Sequence, residues 1–143
     1  MQLGVRHPSP DEVQTARRLL AAAPGPGPYR ELPLVFARET VIISETYPKT
    51  ERVPVQVLRI RDVGFAAFAG EPFVELGLEV RKCGLRQQFL IGLSNEHVGY
   101  VPTVEAHEQG GHETWRAKTS YLEKLAAPKV TAATLRHLDS LAS

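Results

Sequence analysis

Cysteine is almost missing from the sequence. Cys83 is the only one in 143 residues, so no intrachain disulfide can form and no thiolate cluster can build a structural zinc site. It follows Lys82 near an expected helix end and reads as a buried or indifferent thiol. An excess of charge of one sign is missing too: 17 basic residues stand against 16 acidic ones, for a formal net charge of +1. The basic residues are scattered rather than blocked, which argues against a phosphate-tracking stripe and against nucleic acid as a partner. No apolar run approaches the ~20 residues that a membrane-spanning helix needs, and "MQLGVRHPSP" has no charged-then-apolar layout of a signal peptide. There is no P-loop, no GxSxG elbow and no internal repeat. The serine in "GLSNEHVG" lacks a histidine and acid at the spacing of a nucleophile triad.

What is present is the ordinary composition of a globular chain, long enough for one domain with a real core. In "SPDEVQTARRLLAAA", Ser9 and Glu12 form a capping box with Pro10 at the first helical position, and Val13, Ala16, Leu20 and Ala23 recur at helical spacing. "PGPGP", residues 24–28, ends that helix as a stiff connector. Residues 31–47 mix β-branched and helix-favouring residues, and the balance predicts a helix. Val53, Val55 and Val57 alternate as in a strand, after which the phase shifts to Leu58 and Ile60, as a bulge would allow. Asp62 and Gly64 mark a turn into a second strand, Val63 to Ala69, apolar on both faces. From Pro72 the pattern turns helical, which makes Glu71 the cap. "QQFLIGLS" predicts a third, buried strand, and "NEHVGYVPT" a loop before a short helical turn around Val104 to Glu108. "GGHETWRAK" reads as a hinge leading into a strand through Trp115. Ser120 and Glu123 suggest a second capping box, and Thr131 to Leu141 a closing amphipathic helix. The class is α/β or α+β: a small mixed sheet packed by helices.

Chemistry in such folds gathers beyond the carboxyl ends of buried strands. Two segments meet that condition: the strand ending at Ala69 delivers Glu71, and the strand ending near Leu93 delivers Ser94, Asn95, Glu96, His97 and Tyr100. If those strands are neighbours, both segments share one rim. Taken singly, Glu71 reads as a helix-dipole partner and Tyr100 as a half-buried aromatic. His97, His107 and His112 are spaced by ten and five residues, unlike a helical metal pair, and read as solvated loop histidines.

Three stretches together change the weighting. "VPVQVLRIRDVGFAAFAGE", "GEPFVELGLEVRK" and "FLIGLSNEHVGYVPTVEAHEQGGHETW" resemble, in order and spacing, the C-terminal part of the catalytic domain of neutral/alkaline ceramidase-like proteins. The likeness is greatest to bacterial hypothetical proteins of that superfamily and strongest from about Val53 to Trp115. It implies that residues 1–143 are one domain, the C-terminal section of a larger catalytic domain. It also implies a zinc amidase that hydrolyses an N-acyl bond, with an N-acyl amide or lipid-like substrate. By the resemblance, Glu71 in the "GE" motif and Tyr100 in the loop "SNEHVGYVPT" match the family's glutamate and tyrosine zinc ligands. The family's two histidine ligands belong to an earlier part of the domain that this sequence does not contain, so the chain is expected to be inactive without it. His112 stands where the family has a second tyrosine, twelve positions after the first, which implies a catalytic role at the oxyanion. Asn95 and His97 lie in the same loop and are implied in substrate binding. His97 replaces a frequent aromatic residue there. Both departures bear on substrate more than on fold. Surface left bare where the earlier part should dock would favour a homo-oligomer. A second reading stays open: a non-catalytic α/β domain that works by oligomerising or binding a partner.

Overall fold

Ser9 and Glu12 form the expected capping box. In the computed structural model, which describes residues 1–25 and 31–142, the Ser9 hydroxyl accepts the Glu12 N–H (3.2 Å) and the Glu12 carboxylate accepts the Ser9 N–H (2.6 Å). Helix α1 follows over Pro10–Ala21. Residues 26–28 of the proline–glycine connector lie outside the described residues. The mixed stretch after it is helical, as expected. Helix α2 spans Leu32–Thr46 and buries Leu34, Ala37 and Ile43, a tertiary gain that outweighs the weak helix propensity of its β-branched residues.

Strands β1 (Gln2–Gly4) and β2 (Thr50–Arg52) pair antiparallel near the N-terminus. Then come β3 (Val55–Ile60), β4 (Val63–Phe68), the short β5 (Glu71–Pro72), helix α3 (Val74–Val80), β6 (Gln87–Ile91), β7 (Tyr100–Val101), α4 (Val104–Gln109), a 3-10 turn at His112–Thr114 and the closing α5 (Ala126–Ala142). The main sheet has the order β3–β4–β6, with β4 antiparallel to β3 and parallel to β6. The expected mixed sheet packed by helices is therefore present. On its covered face, Val57, Ala66 and Leu90 meet Val80 of α3 and Leu138 of α5. A larger core joins Leu3, Ile43, Val53, Phe68, Val101 and Val130. Among the described residues no helix is long and apolar enough to cross a membrane.

Several expectations are corrected. β3 carries no bulge: its register with β4 runs unbroken from Val55↔Phe68 to Ile60↔Val63. Leu58 and Ile60 simply point to the uncovered face, each 55% exposed, so the apparent phase shift came from assuming that every apolar residue faces inward. The turn is at Arg61 and Asp62, with Arg61 at φ 56°, and Gly64 belongs to β4. β6 is an edge strand rather than a buried one, with only Gln88 fully buried. The Gln88 amide donates to the Cys83 and Leu85 carbonyls. Residues 112–114 form a 3-10 turn, not a strand, because Gly111 at φ 117° and the Thr114 hydroxyl bonded to the Gly111 carbonyl (2.7 Å) fold the chain back. The closing helix begins five residues before Thr131.

The second capping box does not form, because both its members have distant partners. Ser120 is buried and accepts from Arg6 (2.9 Å), and Glu123 reaches the Gly4 N–H (2.7 Å). That backbone donor, with Lys129 at 2.6 Å, holds the Glu123 carboxyl below its ordinary value. The folded state thus prefers the ionised form. This stabilisation is fully present above the ordinary carboxyl pKa of 4.5 and is lost as pH falls through the lower folded value. Glu123→Gln is expected to cost about 1–2 kcal/mol at neutral pH and to flatten the acid limb of a stability-versus-pH curve. An unchanged limb in urea titrations from pH 7 to 3 would refute the assignment.

Candidate functional site

Glu71 is not a helix cap. Phe73 occupies the cap position of α3 without a side-chain hydrogen bond, and Glu71 with Pro72 forms β5, which pairs in parallel with β7. The register sets Glu71 opposite Tyr100 and Pro72 opposite Val101. The bond that holds them runs from the Glu71 N–H to the Gly99 carbonyl (2.9 Å), and Tyr100 is held from behind by the Thr119 carbonyl (2.8 Å). Proline fits β5 because its missing donor leaves this two-residue ladder intact, with the Phe73 N–H reaching the Val101 carbonyl instead (3.3 Å).

The loop from Gly92 to Gly99 is laced onto the end of β4. Ser94 N–H donates to Phe68, Leu93 N–H to Gly70 and Val98 N–H to Ala69, each at 2.9 Å. To follow that path, Leu93 and Asn95 take positive φ, 53° and 71°, as does Gly99 at 76°. Asn tolerates this conformation; a branched aliphatic residue pays more. β4 and β6 are indeed neighbours, so the two segments share a rim as the sequence suggests.

On that rim the structure unites four of the five expected residues. The Glu71 carboxylate Oε1 lies 3.4 Å from His97 Nε2. Tyr100 meets His112 edge to face, with centroids 5.7 Å apart and planes at 87°. His112 Nδ1 in turn faces the Glu113 carboxylate at 3.2 Å. Asn95 is engaged differently: its amide donates to Gln56 Oε1 on β3 (3.4 Å). His107 lies on α4, half-buried rather than solvated. Burial, then Arg6 and Lys124, push its imidazole below the ordinary histidine range. Beside Glu71 opens a cavity of about 470 Å³ walled by Pro72, Val74, Leu78, Phe89 and Leu93.

Two features had escaped the sequence reading. Gly70 and Gly99 cross so closely that a Cβ on Gly70 would lie 2.7 Å from the Gly99 carbonyl; the signal was a glycine directly before each paired residue, in "GE" and "GY". Arg6, over a hundred residues away, donates to the Thr114 carbonyl (2.7 Å) and the Ser120 carbonyl (2.6 Å), and so anchors the turn that carries His112.

The donor chemistry can be weighed against a zinc ion. A carboxylate and a phenol are two oxygen donors, and among the described residues no three His, Cys, Asp or Glu side chains come together to hold a metal. Glu71 and Tyr100 could supply at most two of the four donors of such a shell, so the described residues do not by themselves make a zinc site.

No protein-family model matches the chain, and no curated protein does. Solved structures do. The neutral ceramidase from Pseudomonas aeruginosa is similar with a TM-score of 0.58 and 19% identity, over 87% of this chain and 21% of that one. A ceramidase complexed with C2 gives a TM-score of 0.57, again at 19% identity and with the same coverage. The chain thus has the fold of a part of those proteins and spans 21% of their length.

Proposed function

We propose that this chain is the section of a ceramidase-like zinc amidohydrolase that carries two oxygen ligands, Glu71 and Tyr100, within a larger catalytic domain. The two histidine ligands would come from polypeptide outside these 143 residues, and without them the section is inactive. The observation that supports this reading most is the register of β5 and β7. It pairs Glu71 and Tyr100, 29 positions apart in sequence, on neighbouring strands, with Glu71 at the wall of a cavity. The shared fold with two ceramidase structures adds support, and the reaction class proposed is hydrolysis of an N-acyl amide in a lipid-like substrate.

When bound, a zinc ion would supply Lewis-acid polarisation of the carbonyl and lower the pKa of a water. The chain's own residues do the rest. The β5–β7 pairing fixes the backbone that carries both oxygen donors, which lowers the ordering left to be done on binding. His97, against the Glu71 carboxylate, orients it. His112, packed on Tyr100, would donate to the oxygen on which negative charge develops. With Nδ1 turned to Glu113, its Nε2 donates only in the doubly protonated form. Asn95 offers the substrate an amide from the edge of the rim. The second reading, a non-catalytic binding domain, is favoured by one observation, the exposed apolar sheet face.

Zinc titration of the isolated chain by calorimetry tests the ligand assignment. Glu71→Ala and Tyr100→Phe should each weaken binding about tenfold or more, a loss of at least about 1.4 kcal/mol. Equal affinity in all three proteins would overturn it.

A further inference from the structure

α3 and α5 cover one face of the main sheet, and among the described residues the other face lies open. Its rows, read across β3, β4 and β6, are Ile60–Val63–Gln87, Leu58–Phe65–Phe89 and Gln56–Ala67–Ile91. No charged side chain stands in these rows, and the polar ones, Gln56 and Gln87, sit at opposite corners. Leu58, Ile60, Phe89 and Ile91 are each about half exposed, and Phe65 stacks on Phe89 with centroids 5.5 Å apart. A sheet with one wet face alternates apolar and polar residues, whereas one covered on both sides is apolar throughout. β4 is of the second kind, with Val63, Phe65 and Ala67 on the open side and Ala66 and Phe68 buried on the other. Apolar residues scattered singly over a surface need no explanation, but a contiguous patch across three strands marks a contact.

We infer that the open β3–β4–β6 face is a dimerisation surface, occupied by the same face of a second copy of this chain. The inference goes beyond the proposed function and does not rest on it, since neither Glu71 nor Tyr100 stands in the rows. Area is the first argument. At roughly 200 Å² for a fully exposed large side chain, the four half-exposed apolar residues offer about 400 Å². The two glutamines and the partly exposed β4 residues add about 250 Å², so two copies would bury about 1,300 Å² together, within the roughly 1,200–2,000 Å² of stable, specific interfaces. Chemistry is the second. A two-fold pair requires a face complementary to itself. With the axis along β4, β3 of one copy lies over β6 of the other, so Leu58 faces Phe89 and Phe65 meets Phe65. No like charges oppose each other in the rows, and the glutamines fall at the rim, where water reaches them. The product is a sandwich of two sheets about 10 Å apart, the spacing at which side chains of both inner faces interdigitate. Such a pair leaves neither face bare, so assembly closes at two copies. A lipid surface fits less well, because the rows hold no cation to meet anionic headgroups.

The test is sedimentation velocity of the full chain across the micromolar range, with hydroxyl-radical footprinting at both ends of it. A dimer should form at tens of micromolar. In it, Leu58 and Phe89 should label at least about fivefold more slowly than in the dilute monomer, while Leu19, exposed on α1, labels equally in both. Leu58→Glu buries an unpaired carboxylate in each copy and should weaken the pair by about a hundredfold or more. Leu19→Glu should leave it unchanged. The footprint of the unsubstituted chain needs no variant, so it decides the matter even if Leu58→Glu fails to fold. A chain that stays monomeric at the highest concentration overturns the inference, and so does a dimer in which Leu58 and Phe89 remain fully labelled. Flotation of such a monomer with phosphatidylglycerol vesicles would overturn it too, by naming a membrane as the occupant.

Discussion

Gly99→Ala is expected to destabilise the chain by about 3–5 kcal/mol, the sum of a strained backbone and an overpacked site. Two independent costs meet at this residue. Its φ of 76° lies in the left-handed region that L side chains rarely adopt. A Cβ there would also sit 2.3 Å from the Thr119 carbonyl oxygen and 2.5 Å from its carbon. Those are backbone atoms, held because Thr119 accepts the Tyr100 N–H, so no side-chain rotation relieves the clash. The neighbouring strand suffers next, since the Gly99 carbonyl is the acceptor for Glu71 N–H. Any shift that makes room for the methyl group therefore pulls apart the β5–β7 pair. In a chain of this size such a loss lowers the midpoint of thermal unfolding by roughly 10 °C or more. Gly110→Ala is the control: its φ is also positive, at 86°, but nothing lies within 4 Å of its Cβ position. It isolates the backbone cost, and should cost about 1–2 kcal/mol. Equal midpoints for the two variants would show that the close approach at Gly99 is not real.

That close approach explains what could be read in the sequence and what could not. The site residues were legible because each follows a strand of recognisable composition: Val63 to Ala69 before Glu71, and "QQFLI" before the loop with Tyr100. A parallel pair of strands then brings their carboxyl ends together, which is a property of topology more than of any one side chain. The local signals that held are those whose partners are near in sequence, such as Ser9 with Glu12, three residues apart. Ser120 and Glu123 show the same spacing, yet Glu123 finds Gly4 across 119 residues, and a tertiary donor outcompetes a local cap that no helix follows closely enough to need. The faces of β3 and β6 failed for another reason. Alternation says which residues share a face, but not whether anything covers it. Leu58, Ile60, Phe89 and Ile91 have core composition on a face that the described residues leave exposed.

Arg6→Met is expected to cost on the order of 3 kcal/mol and to release the turn that carries His112. The guanidinium donates to the Thr114 carbonyl, the Ser120 carbonyl and the Ser120 hydroxyl, at 2.7, 2.6 and 2.9 Å. Methionine keeps much of the apolar stem and removes all three donors, which leaves part-buried acceptors without partners at about 1–3 kcal/mol for each one that water cannot reach. A counter-term reduces the loss. Burial first, and then the like charge of Arg116, lower the Arg6 pKa to about 10, so the native state holds this cation at some expense. Arg116 is neutralised in part by Glu12, 2.9 Å away, and among the described residues neither arginine Nε has a hydrogen-bond partner. The sign for pH follows from the lowered value. The unfolded chain binds the Arg6 proton more tightly, so this contribution to stability rises as pH climbs above about 10 and is constant at neutral pH. Arg6→Lys, which keeps the charge but cannot span two carbonyls in a fixed fork, should recover only part of the stability. The functional readout is separate from the thermal one. In proton NMR, the ring shifts that Tyr100 and His112 impose on each other at 5.7 Å should collapse in Arg6→Met and persist in Gly110→Ala. Shifts that stay in place while stability falls would mean that Arg6 holds the fold together but does not position His112.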